Sequence, residues 1–377
     1  MDYVINTVYY ILPFIILLGI LVFVHEFGHF IVARLCGVKV SAFSIGFGKT
    51  LWSRTDKHGT VWQIAAVPLG GYCQFLGDAD ASSSTSEEST KEMSEEDKKH
   101  AFPFQPTWKK LAIVCAGPFA NYFFAIFVFT NIFFFMGNIV FPPIIAGVIE
   151  NSPAQRANLQ SGDRILSING HHINDFNDIT VEVSMSVDGH AELEILRDGE
   201  TILVPLELEE LEVEGADGKK EKKPMIGVRS VSSYEISDES FGFFKSIWLA
   251  CQKTWSINSA TLRGVKQMIV GTRSSEELGG IIRIAEMSGD ISKDEGILDF
   301  VIFMALLSVN LGLINLFPIP VLDGGHIVMY LIEMITRREI NEKVKVSFFK
   351  VGIIIILTLM VFATWNDIVH LFNRWFS

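Results

Sequence analysis

The sequence predicts an α-helical polytopic membrane protein with four transmembrane helices, a membrane-associated β-hairpin region and one α+β extramembrane module. Three observations predict it. Apolar runs of about 20 residues, long enough to cross a bilayer, recur four times along the 377 residues. Mean hydropathy is positive and phenylalanine occurs 30 times, which is too apolar for one ordinary soluble domain. The net charge of −12 gathers in two acidic stretches, 87–97 and 207–214, so it marks solvated segments and excludes a nucleic-acid surface.

The first span covers 5–35 and is uncharged from Ile11 to Val24. It has no basic leader and is too long for a cleavable signal peptide. Residues 38–75 alternate short β-like runs with glycines, which predicts strands and hairpins lying beside or dipping into the bilayer. Residues 78–100 are polar and of low complexity, a solvated spacer. The second span covers 111–140.

The module at 141–228 begins with a strand at 144–149. Asn151 or Ser152 then caps a short helix that has Pro153 in its first turn. A strand at 164–168 ends in the Asn169-Gly170 turn. A helix follows at 176–183, and then a hairpin, 191–197 with 201–206, around Asp198-Gly199-Glu200. Beyond it, Phe243, Phe244, Trp248 and Trp255 with Lys245, Lys253 and Arg263 predict amphipathic helices. These lie on the outer membrane face or pack beneath the module. The third span, 300–317, carries Asn310 and Asn315 and ends at Pro318 and Pro320. The fourth covers 348–362, extended through Trp365 and Ile368. The implied segments are 1–36, 37–77, 78–108, 109–140, 141–230, 231–297, 298–325, 326–347 and 348–372.

Basic residues set the orientation. Arg34, Lys39, Lys49, Arg54, Lys57, Lys109 and Lys110 flank the first connection, and Arg337, Arg338, Lys343, Lys345 and Lys350 the third. Both connections are predicted cytoplasmic, with both termini and the module outside, in a bacterium the periplasm. The four cysteines, Cys36, Cys73, Cys115 and Cys251, have no paired or zinc-like spacing and read as free thiols.

The chemistry is carried by His25-Glu26-Phe27-Gly28-His29, inside the first span. On a helix this spacing puts two imidazoles on one face, where both can hold one zinc ion, with the glutamate beside it as a base. Charged groups there are costly in lipid unless they serve a purpose. A third ligand must lie at the same depth. Asp323 is the best candidate: it follows two helix-breaking prolines and precedes Gly324 and Gly325, which are expected to turn the chain sharply around the carboxylate. His326 reads as a group that supports the ligands from behind or, in preference, as a helix-start residue, and Glu333 as a surface or interhelical one. Asn315 reads either as an interhelical hydrogen-bonding amide or as a group that holds a substrate backbone or oxyanion.

These residues resemble the site-2 proteases, the intramembrane zinc metalloproteases, and most closely the bacterial regulator-of-sigma-E protease branch. The resemblance covers nearly the whole chain. It is carried by the HExxH run, by Val67-Pro68-Leu69-Gly70-Gly71-Tyr72, by Ala116-Gly117-Pro118-Phe119-Ala120-Asn121-Tyr122, and by Asn315 through Gly325. It implies zinc held by His25, His29 and Asp323, Glu26 as general base, and Asn315 as a substrate-stabilising amide. Gly70 and Gly71 fall in the family's membrane-reentrant β-loop, which presents substrate as an extended strand. The module resembles a circularly permuted PDZ domain, one where well-studied members of the branch carry two. Leu278-Gly279-Gly280-Ile281 stands where the family has a Gly-Pro-Ile-Gly-like turn.

The implied activity is endoproteolysis within the membrane segment of single-span proteins, of anti-sigma-factor or remnant-signal-peptide type, after a prior cut. The implied setting is the bacterial inner membrane, with lipid and a C-terminal peptide on the PDZ domain as further partners and no nucleic acid. The rival reading is a non-enzymatic PDZ adaptor with a structural zinc site. Such sites are usually closed by four protein ligands, and three candidates plus Glu26 argue against it.

Overall fold

The computed structural model describes residues 2–78, 93–137, 139–140, 142–173, 175–186, 189–214, 220–230, 235–236, 241–270 and 279–376. They form two compact units, one of Met1–Phe129 with Ile247–Ser377 and one of Thr130–Ser246.

Within the first unit, α1 (Asp2–Leu35) leads into strands β1 (Val40–Thr55) and β2 (Val61–Phe75), then a single-turn α2 (Glu95–Lys98) and α3 (Thr107–Met136). The chain leaves for the second unit and returns through α6 (Phe243–Val270), α7 (Ile281–Asp290), α8 (Ile297–Asn315), α9 (Asp323–Thr336) and α10 (Glu342–Phe376). Among the described residues, four helical stretches are long and apolar enough to cross a membrane: Tyr9–Leu35, Thr107–Met136, Ile297–Asn315 and Lys343–Phe372. They fall on the four expected runs. The second helix starts four residues earlier than expected, directly after Pro106, so Lys109 and Lys110 lie in its first turn. There the Lys109 ammonium donates to the Cys36 carbonyl just beyond α1, at 2.8 Å. The third ends at Asn315, two residues early, because Pro318 disfavours helical geometry at Phe317.

β1 and β2 pair antiparallel with repeated register shifts, so β1 is flanked by both halves of β2. Phe43 lies beside Cys73 and Trp62, and Ile45 beside Gly71 and Ile64. This sheet is pinned to α1 by aromatic packing: Phe43 contacts Phe23, Phe30 and Trp62 with ring centroids 5.8, 5.7 and 4.6 Å apart. At the end of α1 the Arg34 guanidinium donates to Asp56 and Thr60 of the hairpin turn, at 3.2 and 2.6 Å. The sheet is thereby held along the half of α1 that carries His25 and His29.

The second unit contains β3 (Ile139–Val140), β4 (Ile145–Val148), α4 (Pro153–Arg156), β5 (Arg164–Ile168), β6 (His171–His172), α5 (Phe176–Met185), β7 (His190–Arg197), β8 (Glu200–Glu207), β9 (Glu209–Glu214), β10 (Lys220–Met225), β11 (Val228–Ser230) and β12 (Glu235–Ile236). Its main sheet has the order β6-β5-β7-β8, and β11 pairs with β4. Fully buried Ile145, Ile165, Ile168, Leu193 and Ile195 form the core, with Ile179 and Val183 of α5 against them. Every expected element of the module is present. The β7–β8 hairpin is tighter than expected: Asp198 and Gly199 alone make the turn, with φ of 53° and 86°, and Glu200 joins the strand opposite Arg197. Of the acidic spacer, 79–92 lies outside the described residues, as does Leu278.

Candidate metal centre

His25 and His29 lie one turn apart on α1 and Asp323 opens α9, and the three meet. Asp323 Oδ2 is 3.1 Å from His25 Nε2 and 3.5 Å from His29 Nε2, and the two Nε2 atoms are 3.3 Å apart. Bonds of about 2.0–2.1 Å in a tetrahedral shell place neighbouring ligand atoms about 3.3 Å apart. The triangle therefore has the dimensions of one face of a tetrahedral zinc shell. Asp323 Oδ2 is buried and accepts no well-formed hydrogen bond, although two imidazoles face it. His29 Nδ1 lies 2.8 Å from the Ile113 carbonyl, which can only accept, so Nδ1 carries the proton and Nε2 offers its lone pair to the centre. These residues fit a zinc ion.

Close backbone approaches make room for the cluster. A Cβ on Gly117 of α3 would collide with the His29 ring and come within 2.9 Å of His25 Cε1. One on Gly28 would strike the Ala116 carbonyl, so α1 and α3 cross at glycines. Gly324 and Gly325 act differently from the expected sharp turn. Both are helical, in the first turn of α9, and a Cβ on either would meet the carbonyl of Phe317 or Ile319. The turn itself falls earlier, at Val321, whose φ of 82° is strained for a β-branched residue by about 1–3 kcal/mol.

A cavity of about 190 Å³ opens on the cluster, lined among others by Glu26, Gly71, Tyr72, Cys73, Asn315 and Tyr330. Cys73 of β2 lines the cavity beside Glu26, and a Cβ on Gly71 would lie 3.3 Å from Glu26 Cγ. β2 thus runs directly over the glutamate. Asn315 faces this cavity, whereas Asn310 is the interhelical amide and accepts from Thr261 of α6 at 2.8 Å. Gly70, with φ of 149°, packs close to the Phe47 ring and is not among the cavity-lining residues. His326 lines the cavity with its ring 4.9 Å from Phe349. Glu333 is interhelical, paired with Lys345 of α10 at 2.8 Å. The sequence shows Gly117 and Asn121 only as members of the Ala116–Tyr122 run, and it does not mark the Ile113 carbonyl. The signal available was a small and a polar residue four apart on one face of a span.

A cluster of two histidines and an aspartate with an adjacent glutamate, set among helices of membrane-crossing length, has the donor set of a metallopeptidase centre in an integral membrane protein. The chain belongs to peptidase family M50, whose profile matches residues 13–359, and it is a zinc metalloprotease of the site-2 protease family. It is 38% identical over 371 residues to a protein of Rhizobium meliloti named as a zinc metalloprotease, covering 98% of each chain. It is 40% identical over 363 residues to a Rickettsia conorii protein so named, covering 96% of this chain and 99% of the relative. The regulator of sigma E protease of Salmonella typhi is 30% identical over 449 residues, covering 94% of this chain and 97% of that one.

Proposed function

We propose that this metalloprotease is an intramembrane endopeptidase in which His25, His29 and Asp323 hold the zinc and Glu26 is the general base. The observation that carries the reading is the triangle of three donor atoms beside Glu26, reached through a cavity walled by β2. A bound zinc ion would polarise the scissile carbonyl and activate water there. Glu26 takes the water proton and returns it to the leaving amine. The strand at 71–75, with Gly70 before it, aligns the substrate as an added extended strand, which exposes a peptide bond that a helix would shield. The Asn315 amide steadies the substrate carbonyl.

The substrate class is a single-span protein with a cytoplasmic N-terminus, already shortened by another protease. The name of the Salmonella relative supports a role of this kind in regulated proteolysis. The second unit acts as a periplasmic PDZ-like domain that excludes bulky outer domains or binds a new C-terminus. The exposed Trp248 and Trp255 of α6 rest on lipid. The setting is the bacterial inner membrane, with both termini periplasmic.

The test is cleavage of a tagged single-span substrate with a trimmed outer domain, by the native chain and by Glu26→Gln in the same membrane. The native chain is expected to cut within the span. Glu26→Gln is expected to lose at least about 100-fold in rate while keeping its zinc. Equal cutting by the two removes Glu26 from the chemistry, and cutting outside the span overturns the intramembrane reading.

A further inference from the structure

Both histidines of the cluster need their second ring nitrogen protonated if Nε2 is to face a metal, because a neutral imidazole carries one proton. For His29 the acceptor is the Ile113 carbonyl at 2.8 Å. For His25 the group in that place is a side chain: the Asn121 amide of α3, fully buried, lies 3.0 Å from His25 Nδ1. Its carbonyl oxygen has no hydrogen-bond partner, so no bond to Oδ1 fixes which end of the amide faces the ring. With Nδ2 towards the ring, Nδ1 must accept and the ring proton moves to Nε2, whose lone pair is then lost to a metal. With the amide turned over, Oδ1 accepts from Nδ1–H and frees the Nε2 lone pair. The backbone beneath is held in place, since Ser308 of α8 donates its hydroxyl to the Asn121 carbonyl at 2.9 Å.

We propose that Asn121 is the positioning residue for His25, its side-chain carbonyl holding the Nδ1 proton so that Nε2 faces the metal. Gly117 and Asn121 then form one device on one face of α3. The glycine clears the space for the two rings, and the asparagine four residues on sets the ring orientation and tautomer of one of them. The proposal rests on the assignment of His25 as a ligand.

The test is equilibrium zinc competition against a chromophoric chelator, on the full chain in detergent, with melting of the metal-free protein as the folding control. The variants are Asn121→Asp, Asn121→Leu and His25→Ala. Asn121→Leu keeps the branched outline at a larger volume but cannot accept a hydrogen bond, and it is expected to weaken zinc binding about 10- to 100-fold. Asn121→Asp keeps an acceptor in the same place and is expected to bind zinc within about threefold of the native chain or more tightly. A residue that merely packs predicts the reverse, since leucine fills the site and a buried carboxylate disturbs it. Native affinity in Asn121→Leu, or equal loss in both variants at native melting, overturns the proposal. If leucine lowers the melting point, Asn121→Ser, too short to reach Nδ1, replaces it with the same expectation. His25→Ala separates the two levels: if it binds zinc as the native chain does, the ligand assignment itself fails.

Discussion

At the residue scale, the centre depends on atoms that are missing as much as on those present. Gly117 has no Cβ where the His29 ring lies, so Gly117→Ala is expected to displace the imidazoles and weaken zinc binding about 10- to 100-fold. Chelator competition measures it, and unchanged affinity would show that α1 and α3 can part without cost. In the second unit, Asp163 is 1% exposed and is gripped by Arg197, whose Nε and Nη2 donate to its two oxygens at 2.6 Å each. Burial alone would raise the carboxyl, but the Arg197 fork and the Gln160 N–H outweigh it and hold Asp163 below the usual aspartate range. A lowered folded value fixes the sign. The contribution is complete above the unfolded value of about 3.9 and is lost as pH falls through the folded one. Asp163→Asn is expected to cost about 2 kcal/mol at neutral pH and to flatten the acid limb of the stability profile. Proteolytic susceptibility of this unit against pH measures both.

At the element scale, α10 is attached at two places. Near its start Lys345 meets Glu333 of α9, and a Cβ on Gly352 would collide with Pro320. Near its end the buried Asp367 carboxylate accepts from the backbone N–H groups of Gly280, Ile282 and Arg283, at 2.8, 3.0 and 3.3 Å. It caps α7 from another helix, satisfying donors that every helix start leaves open. α7 in turn meets α1, where the Tyr10 hydroxyl donates to Asp290 at 2.9 Å. Asp367→Ala is expected to weaken the α7 start by about 0.5–2 kcal/mol. Faster hydrogen exchange at Gly280, Ile282 and Arg283, with amides near Ile113 unchanged, is the expected readout. Uniform acceleration would mean that Asp367 supports the whole unit.

At the scale of the whole molecule, a zinc ion held as proposed would join segments far apart in the chain, with two ligands from α1 and the third from the start of α9. Binding only to the folded form stabilises it, by about 2.7 kcal/mol when free zinc is 100 times its dissociation constant. Stripping the metal with a chelator is therefore expected to lower the melting temperature and abolish cleavage, and added zinc to restore both. His25→Ala removes the dependence of melting on zinc. A melting curve indifferent to zinc in the native chain would contradict the metal site.

The sequence by itself determined the four spans, because about 20 apolar residues in a row have few other homes, and the strands β4, β5, β7 and β8 of the second unit with their turns, because alternation and Asn-Gly or Asp-Gly pairs are local signals. It also singled out His25, Glu26 and His29, whose i, i+4 spacing is itself geometry, and Asp323 by exclusion at matching depth. Only the tertiary structure decided what surrounds them. The crossing of α1 and α3 at Gly28 and Gly117, the Ile113 carbonyl on His29, the amide of Asn121 on His25 and Gly71 of β2 against Glu26 are all contacts between distant segments. So is the use of Gly324 and Gly325 for clearance rather than for a turn, because the carbonyls they avoid come from the preceding loop folding back on α9. Periodicity reports which face of an element is apolar. It carries no record of which backbone atom another element will bring to that face.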